Sequence, residues 1–386
     1  MANCALVLGG HINGLSIVRE LYQKQVQNIW LIDSKRTIAT RSNKIIGFSI
    51  INKDSSSLLA EIKKLGNKFS RIIVFPTNDN YLEWMIEIHD EICDFCFIPF
   101  NPKTIKNSLS KYIQYEYCEK LGIPYPRTIR IKSRNDIQFL EAFELPLLIK
   151  PSKRDDILYD VFRSKLITSE KELVDVKGLV LTHISHGVEF IASELIPGDD
   201  TNIFAYTAYR NKKGEIINEW RGKKLTQYPD KFGVFSSAVN IAPEIISQQG
   251  RILLNELDIY GIAEPEFKFD NRDGKYKLTE INLRSMMWHR LGNLSGVYLQ
   301  STQWLDATEQ PIPRQQQEFS KEIHFIYMKH EILNLFFRKG YWKHFKNNVF
   351  GGEERYFAVF MKDDIKPFLF DLFFTLKTLI SKCLRA

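Results

Sequence analysis

Residues 278–284 read Leu278-Thr279-Glu280-Ile281-Asn282-Leu283-Arg284, and residues 264–268 read Glu264-Pro265-Glu266-Phe267-Lys268. Between them stands Asn271-Arg272-Asp273-Gly274, a turn sequence, so the two segments predict adjacent antiparallel strands. Alternate side chains of a strand share a face. Glu280 and Asn282 therefore point the same way, Arg284 continues that face if the strand persists, and Glu266 can lie opposite them. Two carboxylates and an amide oxygen meeting at one spot form a hard-oxygen site suited to Mg²⁺, which takes few protein ligands and completes its shell with water and phosphate oxygens. Arg284 beside such a site would steady a transferring phosphoryl group. Cross-strand ion pairing on a wet sheet face would explain any one of these residues. It explains the run less well, because Val, Thr and Ile are the usual strand fillers.

Upstream, Pro146-Leu147-Leu148-Ile149-Lys150-Pro151 ends an apolar strand on a lysine. That lysine either projects into a cleft to meet a phosphate or lies along the surface with its head in water. Further upstream the pattern changes. Short apolar runs at Ala5–Leu8, Ile29–Ile32 and Ile72–Phe75 alternate with helical patterns at Leu15–Leu21 and Ser56–Leu65, and Phe97–Phe100 reads as a fourth strand. This alternation predicts a parallel α/β unit whose ligands sit beyond the carboxyl ends of the strands. Gly9-Gly10-His11-Ile12-Asn13-Gly14 follows the first run. It is either a helix N-terminus that favours an anion or a structural tight turn. It is not GxGxxG, which counts against a nicotinamide-dependent oxidoreductase.

Near residue 105 the type shifts to α+β. A helix over Lys111–Leu121 stops at Gly122-Ile123-Pro124. Strands are predicted at Thr128–Ile131, Leu147–Ile149, Gly178–His183, Glu189–Leu195, Asn202–Tyr209, Ile216–Trp220, Ala263–Phe269 and Lys275–Asn282. The turn Asn211-Lys212-Lys213-Gly214 makes this region largely antiparallel.

Bulk properties narrow the function. The chain has 386 residues, 44% hydrophobic and 26% charged, and a net charge of +7. The mild basic excess suits anionic ligands such as nucleotides, and the scattered bases argue against nucleic acid. Five cysteines at irregular spacing predict free thiols and a reducing, cytoplasmic setting; Cys93-Asp94-Phe95-Cys96 lacks a second pair for zinc. The N-terminus does not read as a signal peptide, and no run reaches the ~18 apolar residues of a spanning helix.

In order and spacing, Gly122-Ile-Pro-Tyr-Pro-Arg-Thr128, Leu148-Ile-Lys-Pro151, Ser193-Glu-Leu-Ile-Pro-Gly198, Glu266-Phe-Lys268 and Glu280-Ile-Asn-Leu-Arg284 resemble the ATP-grasp superfamily, and within it the carboxylate–amine ligase branch. Supporting segments are Val7–Gly14, Pro76–Asp79 and Gly222–Pro229, so the resemblance covers about residues 3–310. It implies ATP and Mg²⁺ as cofactors, small-molecule carboxylate and amine substrates, and an acyl-phosphate intermediate. Lys150 and Lys111 then hold nucleotide phosphates. Glu194, Leu195 and Ile196 form the linker that reads adenine through its backbone. Glu266, Glu280 and Asn282 bind Mg²⁺, Arg284 serves the acyl phosphate, and Lys223 and Lys224 lie near phosphates or substrate. The N-terminal domain holds the carboxylate or amine.

The chain departs from the family's pattern in two places. Ser152-Lys153-Arg154-Asp155-Asp156 replaces a Gly/Ser-rich phosphate loop, with Lys153 or Arg154 available to supply charge, and Thr226 stands where relatives often carry Arg. The resulting expectation is an N-terminal α/β (pre-ATP-grasp) domain at 1–104, ATP-grasp lobes of α+β type at 105–192 and 193–314, and an aromatic-rich C-terminal extension at 315–386. That extension either packs on the core or forms an interfacial helix for a membrane or envelope-biosynthesis partner. A non-catalytic ATP-binding scaffold on the same fold is the alternative to a ligase.

Overall fold

Five short strands open the chain: β1 (Cys4–Leu8), β2 (Ile29–Asp33), β3 (Gly47–Ile50), β4 (Ile72–Pro76) and β5 (Cys96–Phe97). They form one sheet in the order β3-β2-β1-β4-β5, with every pairing parallel. β1 and β4 are buried along their whole length, so both read as continuous apolar runs, as expected of strands covered on two faces. The expected strand at Phe97–Phe100 is shorter and shifted to Cys96–Phe97, because Pro99 cannot donate to a ladder. β3 was not foreseen; Gly47-Phe-Ser-Ile is an edge strand with little apolar signature.

The computed structural model describes residues 1–152, 161–162, 164–230 and 233–384. It comprises two compact units. The first contains Met1–Lys103, Asp199–Pro265 and Asn282–Ala386, and the second contains Thr104–Gly198 and Glu266–Ile281.

In the second unit, β6 (Thr128–Ile131), β7 (Leu147–Pro151), β8 (Lys165–Ile167) and β9 (Phe190–Glu194) make an antiparallel sheet in the order β6-β9-β7-β8. Leu147 and Ile149 point into its core with Phe190 and Ala192, against Leu173, Val176 and Val180. Those last three residues overturn the strand expected at Gly178–His183, which lies inside the helix Glu170–Ile184. The run Leu179-Val180-Leu181 looked extended. The i, i+3, i+7 spacing of 173, 176 and 180 and the Ser169 cap, which accepts from Glu172 N, are helical signals that outweigh it.

The first unit also carries β10 (Ile203–Arg210), β11 (Ile216–Tyr228), β12 (Val234–Val239), the start of β13 (Gly261–Asp270), β15 (Ile323–Ile326) and β16 (Glu354–Phe357). The order is β13-β10-β11-β12-β15-β16, with β16 parallel to β15. The C-terminal residues are therefore built into this unit. Arg19, buried on the helix Ile12–Gln23, donates to Asp364 Oδ2 at 3.1 Å and to Val359 O at 2.9 Å. The hairpin of β13 and β14 (Lys275–Asn282) has the predicted bounds for β14, and Gly274 at φ 69° closes its turn.

Candidate active site

The helix Lys111–Leu121 starts at the Ser110 cap and stops at Gly122, whose φ of 66° needs a residue without a Cβ clash. Helical spacing puts Lys111, Gln114, Tyr115 and Cys118 on one face. In the second unit this face is fixed to β14. Gln114 Oε1 accepts from Ile281 N at 3.0 Å, and Tyr115 Oη donates to Thr279 O at 2.8 Å. Those bonds bring Lys111 against Glu280, with which it forms a tight, half-buried ion pair. Thr279 Oγ1 donates to Glu266 O at 3.0 Å, tying the opposite arm of the hairpin to the same place.

Lys150 completes the group. On β7, Leu147 and Ile149 face the core, so Lys150 takes the other face. Burial and the neighbouring Lys111 ammonium pull its pKa down to about 7, against the pull of Glu280. Lys111 goes the other way. Burial lowers it, but Glu280, Lys150 and Glu266 together hold it above the usual lysine value. One ammonium thus sits in the field of two carboxylates. Glu266 and Glu280 offer hard oxygens of the kind a divalent ion takes. Among the described residues no three His, Cys, Asp or Glu side chains gather into a site on their own. An ion held by two acids, an amide and phosphate oxygens would show no such cluster.

The proposed adenine linker ends β9. Glu194 is engaged by three donors: Arg127 N at 3.1 Å, Lys277 Nζ at 3.1 Å and Arg272 Nη2 at 3.0 Å. Leu195 N donates to Pro146 O at 3.3 Å, and Ile196 is buried. The side chain of Glu194 is a brace for the hairpin, and Glu194 N donates to Arg127 O at 2.9 Å.

In the first unit, Asn282 Nδ2 lies 3.5 Å from Glu264 Oε1, and Glu264 Oε2 meets His289 Nε2 at 2.7 Å. Both members of that pair are buried. Sequence reasoning passed over Glu264 and His289, although Glu264 stands two residues before Glu266, on the same strand face. Arg284 pairs through two nitrogens with Asp79, at 2.5 and 2.9 Å. Asp79 opens the helix Asp79–Glu87 directly after the Asn78 cap, whose side chain accepts from Tyr81 N. Arg284 is thus held by the Pro76–Asp79 segment, which the resemblance had counted only as support.

Lys223 and Lys224 are neighbours on β11 and face opposite sides of the sheet. Lys224 is buried, whereas Lys223 lies 6.0 Å over the Phe204 ring. The structure does not bring the two together. Thr226 is buried too, donating to Glu331 Oε1 at 2.8 Å. The Gly9–Gly14 turn is tied to the end of β2: Gly9 N donates to Ile32 O and Gly10 N to Asp33 Oδ2, both at 2.8 Å. Lys153, Arg154, Asp155 and Asp156 lie outside the described residues.

The parallel α/β domain and the antiparallel α+β unit have the ATP-grasp fold. No protein-family model matches the chain. It is similar to a D-aspartate ligase of Enterococcus faecium (strain Aus0004), 26% identical over 297 residues that cover 72% of this chain and 70% of the relative. Its fold is similar to that of an N5-carboxyaminoimidazole ribonucleotide synthetase solved as an ADP complex, with TM-score 0.65, 13% identity, and 87% and 84% of the two chains covered. An L-amino acid ligase from Bacillus licheniformis shares the fold at TM-score 0.60 and 14% identity, with 81% and 75% covered.

Proposed function

We propose that the protein uses MgATP to phosphorylate a carboxylate and then joins the acyl group to an amine. The observation that carries this reading is the group Lys111, Lys150, Glu266 and Glu280. It combines cations for phosphate oxygens with acids for a divalent ion. A bound Mg²⁺ supplies neutralisation of phosphate charge at Glu266, Glu280 and Asn282. Lys150 and Lys111 hold the phosphates, and the backbone at Glu194–Ile196 takes the adenine. A carboxylate oxygen attacks the γ-phosphorus, an O–P bond forms, and ADP leaves with the bridging oxygen. Arg284 steadies the resulting acyl phosphate, with Lys224 as a further cation near the substrate. The amine nitrogen then attacks the acyl carbon, the C–O bond to phosphate breaks, and the amine gives up a proton. Orientation and fixed charge carry these steps, so no side-chain nucleophile is required.

The D-aspartate ligase relative makes amino acids the first carboxylates to try. The test is ADP release in a screen that starts with D- and L-aspartate and a panel of amines, with mass detection of the amide. Carboxylate- and amine-dependent ADP release supports the reading. ATP binding without turnover across the panel would support a nucleotide-binding scaffold instead.

A further inference from the structure

The helix Lys366–Cys383 packs Phe368 and Phe370 against the core of the first unit, but it buries polar groups beside them. Asp371 and Thr375 face inward, at 7% and 4% exposure. Asp371 accepts from the buried Tyr327 hydroxyl at 2.9 Å, and Thr375 Oγ1 donates to Asp371 O at 2.7 Å. The opposite face carries Leu369, Phe373, Leu376, Ile380 and, at the cap, Leu384, with Phe373 at 62% and Ile380 at 61% exposure. Their spacing of 4, 3, 4 and 4 residues makes one continuous apolar stripe turned away from the protein. Lone surface apolar residues need no explanation, but a stripe along an 18-residue helix with polar groups inside does.

Charge indicates what covers it. The exposed charged residues of this helix are Lys366, Lys377 and Lys382, all basic, and its one acid is the buried Asp371. Lys382 lies 5.1 Å over the Phe337 ring, which joins the end of the stripe to the segment leading into the helix Trp342–Phe350. That helix exposes Trp342, Phe350, Lys343 and Lys346 and contains no acid. A second copy of this face would bring like charges together. An anionic surface would not, and an apolar stripe rimmed by lysines with a tryptophan nearby is the composition of a helix lying in a lipid interface.

We infer that the protein docks on the anionic surface of a lipid bilayer through the exposed face of Lys366–Cys383, with the Trp342–Phe350 helix beside it. No helix among the described residues is long and apolar enough to cross a membrane, so this is attachment in the interface plane.

The test is flotation of the full chain with phosphatidylcholine vesicles and with phosphatidylcholine/phosphatidylglycerol vesicles. Binding is expected to the anionic vesicles only and to weaken as salt rises. The double variant Phe373→Glu/Ile380→Glu should abolish it. Lys366→Glu/Lys377→Glu, which keeps the stripe, should weaken it about tenfold or more. All four positions are exposed, and thermal unfolding checks that each variant is folded; if the first is not, the lysine variant decides. Failure to bind either vesicle overturns the inference. So does equal binding to neutral vesicles. A concentration-dependent dimer in sedimentation velocity, lost in Phe373→Glu/Ile380→Glu, would assign the stripe to a second copy instead.

Discussion

At the scale of single residues, the candidate chemistry rests on charges that restrain one another. Lys111 answers Glu280, and its ammonium together with burial pulls the pKa of Lys150 down to about 7. Replacing Lys150 with Met would remove the proposed charge-assisted hydrogen bond to phosphate, and ATP should bind about tenfold to a hundredfold more weakly by calorimetry. Arg284 behaves differently. Its guanidinium is already held by Asp79, and in the proposed mechanism its charge serves only the acyl phosphate, so Arg284→Met should leave ATP affinity within a few-fold and lower kcat by about a hundredfold. Equal losses in ATP affinity and kcat would move Arg284 into the nucleotide site.

At the scale of elements, the readable parts had local signals. The helix Lys111–Leu121 and the strand Lys275–Asn282 were located to the residue, because Gly122 and Asn271–Gly274 mark their ends within a turn. β11 runs to Tyr228, well past the predicted Trp220, and its later half is rich in polar residues that pairing on both sides keeps extended. β12 pairs with the neighbouring β11 but was missed together with the later half of that strand; β15 and β16 escaped notice because their partners lie far off in sequence. The same holds for the pairs Glu264–His289 and Arg284–Asp79; the latter residues stand 205 apart, and no spacing rule reaches that far.

An element-scale consequence follows on the helix Met328–Phe337. Burial lowers the pKa of His330 to about 4, with His11 and Lys329 adding and the Phe235 carbonyl, 2.7 Å from Nδ1, opposing. The unfolded chain takes up this proton near 6.5, whereas the folded chain resists it. Stability is therefore full above about pH 6.5 and falls as pH drops from 6.5 towards 4, by on the order of 3 kcal/mol. Denaturant titrations across that range should show the loss, and His330→Phe should reduce it, leaving the part that buried His11 contributes.

At the scale of the whole molecule, the C-terminal residues close the first unit. Glu331 is fully buried and accepts from Thr226, Ser236, Ser237 and Tyr341 at 2.6–2.8 Å, joining β11 and β12 to the helix that follows β15. Glu331→Ala orphans those hydroxyls and should cost about 3 kcal/mol in urea unfolding. Truncation after Arg314 removes β15, β16 and Asp364 as well. It should give aggregated chain, and a folded, soluble truncation would contradict this integration.

The central claim is that Glu280 helps hold a divalent ion against ATP. It is tested without knowledge of the substrates by titrating ATP into the protein with Mg²⁺ and with chelator, for the wild type and for Glu280→Gln. The expected result is that Mg²⁺ tightens ATP binding to the wild type by about tenfold or more and barely affects the variant. The same Mg²⁺ enhancement in both proteins would contradict it.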